Sequence, residues 1–221
     1  MNRLLFLIFF FTIISYSQTL KNYDVIINNE EIFNGSLYYD KLLSVKGFYP
    51  FFESDNFIKN KIIFNTQKYI IPLKYDIIDD ELITLNNNSL ELFRIKLPNS
   101  LITEFYIGDK HFVKLNNSNT IKKIYRNGFF EKHYSKNNIT LYIKHIKKKL
   151  QNLDSKVTKY KFYSKTFYVL YYNNNYRIIK RKKDIFKLFP ELKYLSKGFN
   201  NKINEKTITE ILQRINFQLS E

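Results

Sequence analysis

The sequence predicts an α+β fold: an antiparallel β meander, forming a curved sheet or open barrel, with a small C-terminal helical segment packed on it. Three observations carry this expectation. Between about residues 59 and 180, short apolar stretches, some of them alternating with polar residues, are separated by turn residues. After Lys180 the apolar spacing becomes helical. No low-complexity linker or internal repeat separates the two regions, so residues 18–180 are read as a mainly β domain and residues 181–221 as a helical segment on the same domain.

The elements follow in order. Ile62-Ile63-Phe64 and the run from Tyr69 to Tyr75 flank Asn65-Thr66-Gln67-Lys68, a hairpin-like pair. Pro72 has no N–H for a ladder, which argues that the second strand lies at an edge or a bulge. The stretches from Glu104 to Ile107 and from His111 to Leu115 flank Gly108-Asp109-Lys110, a three-residue connection containing glycine. Another polar turn separates Phe129 to Tyr134 from Ile139 to Ile146. In the latter strand Ile139, Leu141 and Ile143 share one face, and Thr140, Tyr142 and Lys144 the other. Phe162 to Tyr172 and Tyr176 to Lys180 bracket three asparagines, which are read as compositional bias accommodated in a turn. Beyond them Ile185, Leu188 and Phe189 have helical spacing up to Pro190, and Leu192 and Leu195 continue a short segment that stops at Gly198. Asn204 is placed to cap a last helix, with Ile208, Ile211, Leu212, Ile215 and Leu219 as its apolar stripe.

The N-terminus carries a different signal. Met1-Asn2-Arg3 is a short positive start, and the eleven residues from Leu4 to Ile14 are apolar apart from Thr12. Ser15 and Ser17 supply small residues at the positions a signal peptidase reads, so residues 1–17 are expected to be a signal peptide and Gln18 the mature N-terminus. Spanning a bilayer takes about 20 apolar residues, which favours removal over anchoring. No later segment reaches that length, and the mature chain is expected to be soluble or peripheral. The absence of cysteine excludes a disulfide framework, thiol chemistry and a zinc–thiolate site.

Charge divides the chain. Residues 1–120 hold 12 Lys+Arg against 13 Asp+Glu, whereas residues 121–221 hold 24 against 7. Such asymmetry suggests an anionic partner. It is densest where Arg177, Lys180, Arg181, Lys182, Lys183 and Lys187 crowd the predicted strand-to-helix junction, and these six are the candidate anionic-surface-binding residues. The bland reading of the same run is a solvated face.

Several short stretches together resemble an uncharacterised family of exported proteins from Bacteroidota, mostly flavobacteria. They are Gly35-Ser36-Leu37-Tyr38, Leu73-Lys74-Tyr75-Asp76 with Asp80-Glu81, Ile107-Gly108-Asp109-Lys110-His111-Phe112, Gly128-Phe129-Phe130-Glu131, and the run from Lys182 to Pro190. The chain departs from that pattern at Leu37, where proline is expected, and at Lys74-Tyr75-Asp76, where Arg-Tyr-Asn is expected. The resemblance implies export and a shared fold, and no chemistry.

Local motifs for catalysis are weak. Asp76, Asp79, Asp80 and Glu81 are the densest acids, yet they lack the alternation and glycine of an EF-hand calcium loop and are read as a solvated or lysine-paired strand end. His111, His133 and His145 have no partner at metal-ligand spacing, and His145 continues the face of Ile139, Leu141 and Ile143, as a packed or rim histidine would. No nucleophile elbow, phosphate-binding glycine loop or His-Glu-x-x-His motif occurs. Neither metal nor cofactor is expected. The expected role is a non-enzymatic binding or scaffolding protein at the cell envelope, in the periplasm or at the cell surface. Anionic lipid headgroups, lipopolysaccharide or acidic glycans are better partners for it than nucleic acid. Two alternatives are a carrier that holds an apolar ligand such as a lipid in its curved sheet, and a hydrolase acting on envelope polymers.

Overall fold

The computed structural model describes residues 30–39, 50–86, 93–115, 119–124, 128–152 and 159–220; the predicted signal peptide lies outside them. The strands are β1 (Ser36–Leu37), β2 (Ile58–Phe64), β3 (Gln67–Asp76), β4 (Glu81–Asn86), β5 (Phe93–Lys96), β6 (Ile102–Ile107), β7 (Lys110–Lys114), β8 (Phe129–Lys136), β9 (Ile139–Asn152), β10 (Lys159–Tyr172) and β11 (Asn175–Ile179). The helices are α1 (Asn119–Lys122), α2 (Lys182–Phe186) and α3 (Glu205–Gln218), with a 3-10 segment at Pro190–Ser196. All eleven strands form one open sheet in the order β1-β5-β4-β3-β2-β6-β7-β8-β9-β10-β11. Every pairing is antiparallel. The expected α+β architecture is therefore the observed one: a meander from β6 to β11, preceded by strands on the other side of β2 and followed by short helices.

Turn chemistry sets the registers. Three hairpins close through two residues that both have positive φ: Asn65 and Thr66, Asn137 and Asn138, and Asn173 and Asn174. That pattern is the tight turn whose twist matches the flanking strands. The asparagines are thus structural here, because asparagine tolerates the left-handed region better than most residues. The β6–β7 turn is also shorter than expected, with only Gly108 and Asp109 between Ile107 and Lys110.

Pro72 does not mark an edge strand. β3 pairs with β2 on one side and β4 on the other. Counted from the closing pair Phe64 and Gln67, Pro72 falls at a non-hydrogen-bonded position opposite Lys59, so its nitrogen faces β4. There the β3–β4 ladder ends one residue short, at Leu73 opposite Thr84. The Thr84 hydroxyl donates to the Pro72 carbonyl at 2.8 Å in place of a ladder bond. At the far end of the sheet, Gly35 leads into β1. A Cβ there would collide with the carbonyl oxygen of Lys96, so only glycine permits the approach to β5.

The sheet curls. The amide of Lys147 in β9 donates to the carbonyl of Ile77 beyond the end of β3 at 3.1 Å, although five strand pairings separate β3 from β9 in sheet order. The inside of this curl is filled by aromatic rings. Phe105 and Phe112 stack with centroids 5.0 Å apart, and Tyr75 stands edge-on to each at 5.2 Å. A second core lies under the helices, where Ile139, Leu141, Ile143, Leu170 and Ile179 meet Ile185, Phe189 and the stripe of α3. Asn204 caps α3 as expected, its side chain accepting from the Thr207 amide at 2.8 Å. Ile208, Ile211, Leu212 and Ile215 are fully buried, whereas Leu219 follows the helix as its C-cap and is exposed. Helix α2 ends at Phe186, so Leu188 and Phe189 reach the core from a turn rather than a helix.

Candidate functional site

The β11–α2 junction is built by Asp184. Its carboxylate accepts from the amides of Lys180 and Arg181, at 3.1 and 2.9 Å, which fastens the first turn of α2 to the end of β11. The one acid inside the basic run therefore serves the backbone. Arg177, Lys180, Arg181, Lys183 and Lys187 are exposed and have no acidic partner among the described residues. Lys182 differs. It is half-buried, and its ammonium donates to the carbonyls of Ser196, at 2.9 Å, and of Phe199, tying α2 to the segment after it. Five of the six candidate cations face solvent, and the sixth holds the helical segment together.

The acidic stretch folds into structural contacts. Asp76 Oδ1 accepts from the amides of Ile78 and Asp79, at 2.8 and 3.2 Å, and shapes the β3–β4 turn, while Oδ2 accepts from the Tyr38 hydroxyl at 3.0 Å. Burial pushes the Asp76 carboxyl upward, against the amides and the Tyr38 hydroxyl, which favour its charged form. Glu81 pairs with Lys96 at 3.1 Å. Asp80 stands at φ 60 at the end of the turn and is 3 % exposed. It meets Lys144, which is 1 % exposed, at 2.5 Å, and the Tyr75 hydroxyl also donates to it. Alternation along β9 places Lys144 on the outer face. Instead its three protons have three acceptors in Asp80, the Phe129 carbonyl at 2.9 Å and the Tyr75 oxygen at 3.2 Å. Burial lowers the Lys144 pKa, and the Asp80 charge opposes that shift.

A second charged cluster centres on Glu131, which lies mid-sheet opposite Phe112 of β7 and Ile143 of β9. Its Oε2 accepts from His145 at 2.6 Å; its Oε1 accepts from His133 at 2.9 Å and from Lys110 at 3.2 Å. Burial by itself would raise the Glu131 pKa. The bonds from His145 and His133, with the charges of His145 and Lys110, outweigh burial and lower it to about 2. His145 also packs on Phe52 at 4.7 Å, as a histidine continuing the inner face should. His133 stands at a register shift in β8, where a bulge redirects side chains, and lies 3.3 Å from Glu205 in the first turn of α3. His111 is elsewhere, bonded to Glu104 at 2.9 Å.

Glu131, His133 and Glu205 place three ligand-type atoms within 4.8 Å of one another, at one end of an open groove of about 390 Å³ that runs along α3 past Lys206, Thr209, Glu210 and Gln213. A divalent cation takes such donors. Here the ammonium of Lys110 already lies 3.2 Å from Glu131 and 3.9 Å from Glu205, so the chain itself supplies the positive charge between the carboxylates. The cluster fastens α3 to the sheet.

Sequence reasoning missed both clusters because each is closed by residues far apart in the chain: Lys144 and Asp80 are 64 residues apart, and Glu205 reaches His133 and Lys110 from α3. Tyr38, Tyr75, Asp76, Asp80, Phe129, Glu131 and Lys182 each make a buried or half-buried contact described above, and no local motif announces it. Comparison with family models, curated proteins and solved structures finds no match to this chain.

Proposed function

We propose that this chain is an exported, non-enzymatic binding protein of the cell envelope that docks on an anionic membrane surface through the β11–α2 junction. The observation that carries the reading is the set of five exposed cations, Arg177, Lys180, Arg181, Lys183 and Lys187, which lack acidic partners among the described residues while Asp184 is turned to the backbone. Each Lys or Arg near an anionic membrane contributes about 1 kcal/mol, so five acting together are enough for reversible attachment. The protein's own rings fill the inside of the curl, which favours its surface over its interior as the binding element. Of the acids at residues 76–81 that a hydrolase would draw on, Asp76 shapes a turn and Asp80 and Glu81 stand in ion pairs. Export rests on the N-terminal composition, and mass spectrometry of the protein from its native host should find Gln18 first.

Cosedimentation tests the docking. The protein should pellet with phosphatidylglycerol-containing vesicles at low salt and stay in solution with pure phosphatidylcholine. Release should follow as salt shortens the screening length from about 10 Å at 0.1 M to about 3 Å at 1 M. The informative variant is Arg181→Gln/Lys183→Gln/Lys187→Gln, which spares the structural Lys182 and should lose most of the binding. Equal binding to both vesicle types, or an unchanged triple variant, would return the junction to a solvated face. Preference for lipopolysaccharide or an acidic glycan over the vesicles would move the partner to that class.

A further inference from the structure

We infer that the outer half of the β9–β10 hairpin is a membrane-interface arm, with Tyr163 seated at headgroup level between Lys148 and Lys165. This inference rests on the anionic-membrane reading above and names the element that touches the bilayer.

The first observation is topological. Strands β9 and β10 pair along their whole length, from Thr140 opposite Tyr171 to Asn152 opposite Lys159. Their neighbours stop early: β8 pairs with β9 only as far as Ile143, and β11 pairs with β10 only from Tyr168 to Tyr172. Lys147 ties the hairpin to the body: its amide bonds Ile77 and its ammonium donates to the Phe51 carbonyl at 2.9 Å. From Lys148 opposite Tyr163 outward, five residue pairs have no third strand beside them among the described residues. At about 3.3 Å per residue the five pairs of this two-stranded ribbon extend roughly 16 Å past Lys147. An isolated two-stranded ribbon is marginal in water and gains stability from a surface to lie on.

The second observation is chemical. Among the residues of the arm and its base whose side chains are described, Lys147 and Lys148 on β9 and Phe162 to Lys165 on β10, there are three lysines, two aromatic rings and no acid. On the described part of the arm, Tyr163 is 40 % exposed directly opposite the exposed Lys148. Two residues along the same face, exposed Lys165 lies 4.5 Å from the ring of Phe167. An aromatic ring flanked by long cationic stems suits the bilayer boundary, where the ring enters the headgroup layer and the ammonium groups stay at the phosphates. A purely polar polyanion would use the lysines and leave the exposed tyrosine without a role.

The third observation joins the arm to the junction. Ile179 pairs with Tyr168, in the inner part of β10, and Lys180 follows it directly, so β10 runs from the arm to the strand that leads into the junction.

The chain has no tryptophan, so Tyr163→Trp places a single fluorophore in the arm. The chain from Gln18 onward, carrying this change, is titrated with phosphatidylglycerol/phosphatidylcholine vesicles and with pure phosphatidylcholine. Emission should shift to the blue and be quenched by brominated lipid with the anionic vesicles only. Phe217→Trp, at a residue 61 % exposed on α3, should not shift. Lys148→Gln/Lys165→Gln should lower vesicle partitioning about thirtyfold, the factor for two cations at about 1 kcal/mol each. If the Tyr163→Trp protein cosediments with anionic vesicles while its emission stays unshifted, the arm is overturned and the junction reading stands. If it cosediments with neither vesicle, both fall. A blue shift of the same variant on adding a single-stranded oligonucleotide, without one on vesicles, would overturn the membrane as the partner.

Discussion

Replacing Asp80 with Asn preserves the shape of the β3–β4 turn and removes the charge that faces Lys144. The ammonium then keeps two neutral acceptors, the Phe129 carbonyl at 2.9 Å and the Tyr75 oxygen at 3.2 Å, but loses the Asp80 charge that it faces in a site where it is 1 % exposed. Breaking a buried pair in this way costs about 3–5 kcal/mol, because the surviving charge has been taken out of water without compensation. Lys144→Met is expected to cost a similar amount, since Asp80 would keep only the Tyr75 hydroxyl and the Phe129 amide as donors. The double variant Asp80→Asn/Lys144→Met leaves no charge at this site and should lie within about 1–2 kcal/mol of the parent, far from the sum of the single costs. Urea unfolding followed by far-UV circular dichroism reads all four proteins, with equal m-values required for the comparison. Losses that add, or an Asp80→Asn variant within about 0.5 kcal/mol of the parent, the ordinary surface range, would refute the buried pair.

Two more outcomes follow from single residues. The Glu131 pKa is lowered from 4.5 to about 2 on folding, so its contribution is complete above pH 4.5 and disappears as pH falls toward 2; the loss is about 3 kcal/mol. Acid unfolding monitored by circular dichroism should show this fall in stability between pH 4.5 and 2, and Glu131→Gln should flatten it; an unchanged acid limb in that variant would assign the loss to other groups. Thr66 is a β-branched residue held at φ 67 in the β2–β3 turn, so Thr66→Gly should raise stability by about 1 kcal/mol in a urea melt, and a destabilised variant would contradict the left-handed turn.

The strands from β2 to β3 and from β6 to β11, the helical change after Lys180 and the Asn204 cap were legible because their signals are local. Alternation, turn residues and 3.6-residue spacing act within a few positions, and the chain carries them openly from residue 59 onward. The same locality explains the misreadings. Pro72 has its missing donor noticed in the sequence, but only the sheet shows that the β3–β4 ladder ends beside it, which lets proline stand in an interior strand. Lys144 alternates like an exposed residue, and only the curl of the sheet carries Asp80 to it. Glu131 gave no motif, since its partners come from β7, β8 and β9, and Glu205 reaches the cluster from α3.

By itself the sequence determined the element types, the positions of most turns and the placing of the positive charge in the second half of the chain, all properties of neighbouring residues. Tertiary structure alone decided which cations stay in water and which are buried. The desolvation of a charge depends on everything folded around it, and that surrounding set is assembled from residues distant in sequence.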